Sequence, residues 1–498
     1  MTDRKPLVAR GRRVSSPIAK FEAMDYQCDA VRALEELEYG AVFHEQGLGK
    51  TKIALDLALR WLATNVADSV FIVTKRSLVP NWTREIARHT NLVPRVLSQN
   101  RKQNYFSFNS RARLYLMHYE VVTYEFERIE LLQQTRKIAI ILDESQKIKN
   151  PQTSISSAFH KLRYGFVRRI IMTGTPIANR PYDAWSQVFF LDGGKALGND
   201  FNAFKSDFDL NNTLAFDHDA RADFAKRLEW LNLQLKPFSV RETKSTAGID
   251  LPEKHIERIR CDMAPLQTEM YRSVREDLSV QIERDGKRVD DSTEDILKRL
   301  LRLVQVASNP RLLDEQYNEE PGKLFILKAL LNSILTGTEK AIVWTTFVEN
   351  AKWLKCELAE YGSCCVHGNM AIDERERNLA SFLDDESVQV LVATTGAAKE
   401  GLTLTVANHA VFFDRSFSLD DFLQAQDRIH RITQLRDCFI YVLIARDTID
   451  EWVDLLIDAK RFAAQLAQGD IGLDEYRSRE NYQFYYILKQ LLSGRRAQ

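Results

Sequence analysis

His44-Glu45-Gln46-Gly47-Leu48-Gly49-Lys50-Thr51 lies between a short apolar run, Gly40–Phe43, and a stretch in which Ile53, Leu57 and Trp61 recur on one helical stripe. Strand, glycine-rich turn and helix in that order make a cradle for an anion. Gly47 and Gly49, with Leu48 between them, let backbone N–H groups curl around a phosphate while the helix start directs its positive end at the charge. In such a loop Lys50 reaches the β- and γ-phosphates of ATP, and the hydroxyl of Thr51 holds Mg²⁺. His44 stands where the usual pattern has its first glycine.

About 90 residues downstream, the run Ile138-Ala139-Ile140-Ile141-Leu142 ends in Asp143-Glu144-Ser145-Gln146. A buried strand that delivers two adjacent carboxylates at its C-terminal end supplies the second half of a phosphate-loop metal site. Asp143 would hold Mg²⁺ through water, and Glu144 would orient and deprotonate the attacking water. An isolated Asp-Glu pair after a strand is ordinarily a solvated loop; its partnership with the phosphate loop makes it a catalytic candidate.

Around these two motifs the chain repeats one pattern twice. Candidate strands are Gly40–Phe43, Val70–Thr74, Ile138–Leu142 and Arg169–Met172, then Ala341–Thr345, Val388–Ala393, Ala410–Asp414 and Phe439–Ile444. Short apolar runs bounded by polar residues, with helical stretches between them, predict an α/β chain with two parallel-sheet lobes. Residues 200–335 are rich in Leu, Lys, Glu and Arg and are read as helical protrusions plus a linker, and 450–468 as a further helix. The expected domains are 1–240 (an ATP-binding lobe with a helical protrusion at about 195–240), 241–320 (helical protrusion and linker) and 321–498 (a second lobe with C-terminal helices).

Composition narrows the class. The 498 residues are 45% hydrophobic and 28% charged, which suffices for large cores. No apolar window approaches the roughly 18 residues of a membrane span, and the polar, basic start (Arg4, Lys5, Arg10, Arg12, Arg13) is not a secretory signal but a basic arm. Six scattered cysteines without a CxxC pair point to a reducing compartment. Net charge is zero, yet residues 1–240 carry an excess of nine positive charges and the remainder an excess of nine negative ones. A basic half is a modest pointer to a polyanionic partner; a solvated surface explains it equally.

Taken in order, the motifs resemble the Swi/Snf-type family of superfamily 2 helicase-like ATPases over nearly the whole chain. Met24-Asp25-Tyr26-Gln27 is similar to the adenine-reading element, with Gln27 as the implied contact. Phe71 to Trp82 is similar to motif Ia, Val122-Thr123-Tyr124-Glu125 to the next nucleic-acid segment, and Thr173-Gly174-Thr175-Pro176 with Asn179 to motif III. Val343 to Phe347 resembles motif IV, Thr394-Thr395 through Glu400-Gly401-Leu402-Thr403-Leu404-Thr405 motif V, and Gln424 to Gln434 motif VI. The chain departs from the family at Arg241-Glu242, where an Arg-Arg pair is usual, at Phe417-Ser418-Leu419, at Thr433 and at Ser145-Gln146. These departures suggest a divergent branch of bacterial or phage type.

Two RecA-like lobes, ATP and Mg²⁺, and DNA as the track follow from the resemblance. It implies catalytic roles for Lys50, Asp143, Glu144, Gln146, Arg428 and Arg431, and nucleotide contacts from Gly401 and Gln424. Arg428 and Arg431, three apart, are expected on one face of a helix, where planar guanidinium groups suit γ-phosphate oxygens. Implied track contacts are Lys75, Arg76, Thr123, Thr346, His367 and Thr394, mainly to phosphates. The expected protein is a DNA-dependent ATPase that translocates on duplex or branched DNA, as in branch migration, annealing or displacement of bound protein. A strand-separating DNA or RNA helicase and an ATP-switched DNA-binding module are the alternatives. A cytoplasmic monomer in a bacterial or phage-infected cell is the expected setting, with the nucleus as the alternative, and target choice would come from the protrusions, the basic arm or a separate protein.

Overall fold

Ile138 to Leu142 are at most 1% exposed, and a strand buried on both faces requires helices above and below its sheet. The computed structural model supplies that arrangement twice. It describes residues 17–177, 179–209, 214, 217–284, 293–398 and 403–479, without the side chains of 277–284, 293–299 and 398. The basic arm and Gly401 lie outside the described residues. The chain divides into two units: residues up to Val42 together with Gly49–Met172, and Phe43–Leu48 together with Thr173 onward.

In the first unit six parallel strands form a sheet: β1 (Tyr39–Val42), β2 (Ser69–Thr74), β3 (Arg95–Val96), β4 (Leu114–His118), β5 (Ile138–Asp143) and β6 (Phe166–Met172). They lie in the order β3-β4-β2-β5-β6-β1. Register between β2 and β5 runs from Ser69↔Ile138 to Val73↔Leu142, so Thr74 and Asp143 emerge together at the C-terminal edge. In parallel α/β sheets ligands gather at this edge. Helix Lys50–Ala63 follows β1 and packs Ile53, Leu57 and Trp61 at no more than 1% exposure, as the apolar stripe predicts.

The second unit contains β7 (Ser239–Val240), whose Val240 carbonyl accepts the Phe43 N–H, and β8 (Lys254–Cys261). β9 (Ala341–Thr345), β10 (Ser363–Val366), β11 (Val390–Thr394), β12 (His409–Phe412) and β13 (Cys438–Ala445) follow. A six-stranded parallel sheet has the order β10-β11-β9-β12-β13-β8. Leu324, Leu327 and Leu331 of helix Gly322–Ile334 pack with Val343, Val390 and Val392 in its core. Asp414, just past β12 and 1% exposed, accepts from Ser308 Oγ (2.9 Å), Thr345 Oγ1 (2.6 Å), Asn350 Nδ2 (3.2 Å) and the Thr346 N–H (2.6 Å). Four donors on one buried carboxylate fix the loop that leaves β9.

The eight strands expected from sequence are present with ends displaced by a few residues. Five others, β3, β4, β7, β8 and β10, were not foreseen. β8 departs from the reading of 200–335 as helical protrusions plus a linker: Lys254, Glu257, Arg258 and Arg260 give it a polar sequence because it is an edge strand, paired among the described residues with β13. Helices Asp183–Asp192, His218–Leu235, Pro265–Arg284 and Thr293–Ser308 supply the helical part of that region and its flank, and helix Ile449–Gln468 matches the C-terminal expectation. Among the described residues no helix is long and apolar enough to cross a membrane.

Candidate nucleotide and nucleic-acid sites

The phosphate-loop glycines have left-handed backbones, with φ of +89° at Gly47 and +66° at Gly49, a region that only glycine enters at little cost. Gly49 caps helix Lys50–Ala63 without any side-chain hydrogen bond to the helix start. Glycine at this cap leaves room for an anion at the helix start. A Cβ on Gly49 would stand 2.4 Å from Gln27 Nε2, so the adenine-reading candidate rests directly against the loop. Gln27 is itself fixed: the Met24 N–H donates to its Oε1 at 3.1 Å and its Nε2 donates to Tyr26 Oη at 3.3 Å.

At the end of β5 the chain turns through Glu144, whose φ of +55° and ψ of +50° are left-handed without the excuse of glycine. Such a conformation costs about 1–2 kcal/mol and is retained where surrounding contacts determine it. Here it sends the two carboxylates along separate paths. Asp143 Oδ2 accepts from Trp82 Nε1 at 2.7 Å and from Thr74 Oγ1 at 3.0 Å, while Tyr119 Oη donates to the Asp143 carbonyl at 2.8 Å. Glu144 Oε2 accepts from Gln146 Nε2 and, at 3.3 Å, from Lys75 Nζ.

The two acids consequently titrate differently. Burial, reinforced by the charge of Glu144, raises Asp143 to about 6 against the pull of Trp82, Thr74 and Lys50. Burial also pushes Glu144 upward, but the ammonium groups of Lys75 and Lys50 and the Gln146 hydrogen bond hold it below the usual carboxylate range. Burial and the same two carboxylates push the Tyr119 phenol well up, so it remains a donor. The donor set suits Mg²⁺: Asp143 is a desolvated hard oxygen ligand whose charge a cation would neutralise, and Thr51 offers a hydroxyl at the helix start.

Motif III and motif VI candidates meet within the second unit. Thr175 Oγ1 and Gln424 Nε2 both donate to Asp420 Oδ1, at 2.7 and 2.8 Å, and Asn179 accepts from the Leu419 N–H at 2.9 Å. Gln424 is 1% exposed, and its side chain serves Asp420 here. Helix Leu419–Gln426 stops before the two arginines, which lie in the irregular stretch that follows it rather than on a helical face. There the Arg428 and Ile429 N–H groups bond three residues back, to Ala425 and Gln426. Arg428, 3% exposed, donates from Nε to the Gln424 carbonyl at 3.1 Å. Arg431 donates from Nε to the Asp427 carbonyl at 2.7 Å and from a terminal nitrogen to Thr403 Oγ1 at 2.9 Å.

Lys244, in the segment where the chain departs from the family's Arg-Arg pattern, is buried with its ammonium on Asp427 Oδ1 at 2.9 Å, the His430 carbonyl at 3.0 Å and Glu45 Oε1 at 3.5 Å. Although burial opposes both charges, each partner favours the other's ionised form, raising Lys244 and lowering Asp427. Arg241 spans Asp470 with two nitrogens and reaches the Phe43 carbonyl with a third.

Of the expected track contacts, Arg76 and Thr123 are exposed, Lys75 is engaged with Glu144, and Thr346 is half-buried. His367 and Thr394 are only 7% and 5% exposed. Sequence reading missed the anchoring of Asp143 by Thr74, Trp82 and Tyr119 and the whole Lys244–Asp427 pair. The sheet register that places Thr74 beside Asp143 is the signal that would have revealed the first.

Two family models match the chain. Residues 26–312 match the SNF2-related domain and residues 322–433 the helicase conserved C-terminal domain. An uncharacterized ATP-dependent helicase of Mycoplasma pneumoniae is 27% identical over 441 residues, covering 85% of this chain and 40% of that protein. The chromatin structure-remodeling complex subunit snf21 of Schizosaccharomyces pombe is 25% identical over 442 residues, covering 83% of the chain and 36% of its own length. The chain thus spans well under two thirds of these relatives. The Sulfolobus solfataricus SWI2/SNF2 ATPase core in complex with dsDNA is 25% identical, with 93% of this chain and 97% of that one covered at a TM-score of 0.41.

Two outcomes test the site's electrostatics. Asp143 has a folded pKa above its unfolded value, so the stability it contributes is complete below about pH 4 and is lost as pH rises through about 6. In metal- and nucleotide-free protein, Asp143→Asn therefore gains Tm relative to the parent as pH rises from about 5 to about 8; a pH-independent difference contradicts the assignment. Lys244→Met strands the Asp427 carboxylate and lowers stability by about 3–5 kcal/mol in urea unfolding. A loss below about 1 kcal/mol would show that the pair is not effectively desolvated.

Proposed function

Because the chain belongs to the SNF2-related family of ATP-dependent helicase-like ATPases, we propose that it is a DNA-dependent ATPase that moves along duplex DNA and remodels DNA structures or displaces bound protein. The observation that carries this reading is the half-site of the first unit. Lys50, the first residue of the helix after the glycine loop, lies close enough to Asp143 and Glu144 to act on the charge of both. A phosphate chain on the glycine loop would be held by Lys50 through its β- and γ-oxygens. Thr51 and Asp143 would hold Mg²⁺, which supplies positive charge to the same oxygens when bound. Glu144 would orient a water toward the γ-phosphorus and take its proton. Gln27 would read the adenine from its place against Gly49.

Arg428 and Arg431 of the second lobe complete this scheme as γ-phosphate ligands on closure, with Gln424 and the Gly401 segment as nucleotide-side elements. Thr175 and Asn179, bound to the start of helix Leu419–Gln426, would pass closure to the arginines through Asp420 and Gln424. The lobes are taken as 1–240 and 321–498, with 241–320 as protrusion and linker. Repeated closure and opening while the lobes grip phosphates would advance the protein along its track. Arg76 and Thr123, exposed beyond the C-terminal ends of β2 and β4, are the first-lobe contacts that fit this role best. One matched relative supports a remodelling reading by name, the chromatin structure-remodeling complex subunit above.

ATP turnover measured with and without duplex DNA tests the proposal. Stimulation by duplex is expected, and Glu144→Gln should bind ATP and DNA while losing at least about 10²-fold in turnover. Parental turnover in Glu144→Gln, or no stimulation by any DNA form, would refute the reading.

A further inference from the structure

Lys75 was expected to touch a nucleic-acid track, yet its ammonium donates to Glu144 Oε2 at 3.3 Å. Gln146 Nε2 donates to the same oxygen. The Lys75 and Glu144 side chains are each 19% exposed, so the pair sits at the rim of the site and not in the core. Lys75 also immediately follows β2 and immediately precedes the exposed Arg76 and Ser77. One residue therefore stands between the catalytic carboxylate and the surface assigned to phosphates.

A carboxylate oxygen that already accepts from an ammonium and an amide is a poor proton acceptor, and its orientation is fixed by those donors. Lysine is suited to a reversible contact of this kind. Its charge is compact, its stem of four carbons is flexible, and its three donors satisfy carboxylate and phosphate oxygens alike. A nucleic-acid backbone offers a row of anionic oxygens that compete for the same ammonium.

We propose that Lys75 is a brake on Glu144: without a track it occupies the carboxylate, and a backbone phosphate draws it outward beside Arg76, leaving Glu144 to serve the attacking water. The inference rests on the ATPase reading above. Once released, Glu144 accepts a proton from that water as its oxygen bonds to the γ-phosphorus. The bond from γ-phosphorus to the bridging β–γ oxygen breaks, and the products are ADP and inorganic phosphate. Lys75 is thus a positioning residue that makes hydrolysis contingent on the track.

The test is steady-state ATP hydrolysis by the full chain with and without a duplex of mixed sequence. Lys75→Gln should raise the DNA-free kcat at least about threefold, leave the KM for ATP within about twofold, and shrink the stimulation by DNA accordingly. Lys75→Arg should restore a low DNA-free rate. A purely structural role for Lys75 would lower the DNA-free rate, not raise it. If Lys75→Gln does not fold, Lys75→Met carries the same measurement. A DNA-free kcat that is unchanged or reduced in the folded variant, alongside a parent stimulated by DNA, overturns the brake alone; a parent that no DNA stimulates overturns the brake and the ATPase reading together.

Discussion

Two adjacent carboxylates at the end of a strand buried on both faces are an electrostatic liability. The first unit is organised around compensating it. Desolvation disfavours both charges, and each disfavours the other. The solution is asymmetric. Asp143 receives neutral donors from Thr74 and Trp82 and keeps a raised pKa, whereas Glu144 turns away through a left-handed backbone toward Lys75 and Gln146. Two neighbouring acids thereby titrate in opposite directions, Asp143 raised and Glu144 held below the usual carboxylate range. Register places Thr74 beside Asp143, and the helix from Val79 brings Trp82 back over the same edge, so the sheet topology itself builds the environment.

The second unit solves similar problems with pairs and networks. Asp414 gathers four donors, Asp420 joins Thr175 to Gln424, and Asp427 is matched by Lys244. Each buried acid sits close to a loop that the resemblance assigns to nucleotide or track. Buried acids of this kind fix loop geometry because a shift of either partner strands a charge or a polar group. The family's second arginine in the 241–242 pair is replaced by Glu242, and Lys244 two residues on reaches a motif VI acid. The departure from pattern is accompanied by an ion pair.

Much of this was legible in the residues alone. Apolar runs such as Ile138–Leu142 identified central strands because burial on both faces leaves no polar positions. The phosphate loop and the Asp143–Glu144 pair stood out because few residue types satisfy their chemistry. Edge elements escaped: β8 carries Lys254, Glu257, Arg258 and Arg260 and reads as surface, and β3 is two residues long. Side-chain partnerships across the sheet escaped for a different reason. Lys75 and Glu144 are 69 residues apart, and nothing in local spacing connects them. The arginines of motif VI, three apart, fitted a helical face, but spacing does not reveal where a helix ends; the irregular stretch after Gln426 carries them instead.

The nucleotide site proposed above has two parts, the carboxylates with Lys50 and a pair of arginines. Single-turnover hydrolysis by Arg431→Ala, with ATP binding measured separately, examines it most directly. Nucleotide affinity should stay near that of the parent while the rate falls by about 10³ or more, the scale of an arginine finger. Hydrolysis at the parental rate would show that the second lobe contributes no charge to the reaction and would contradict the bipartite site.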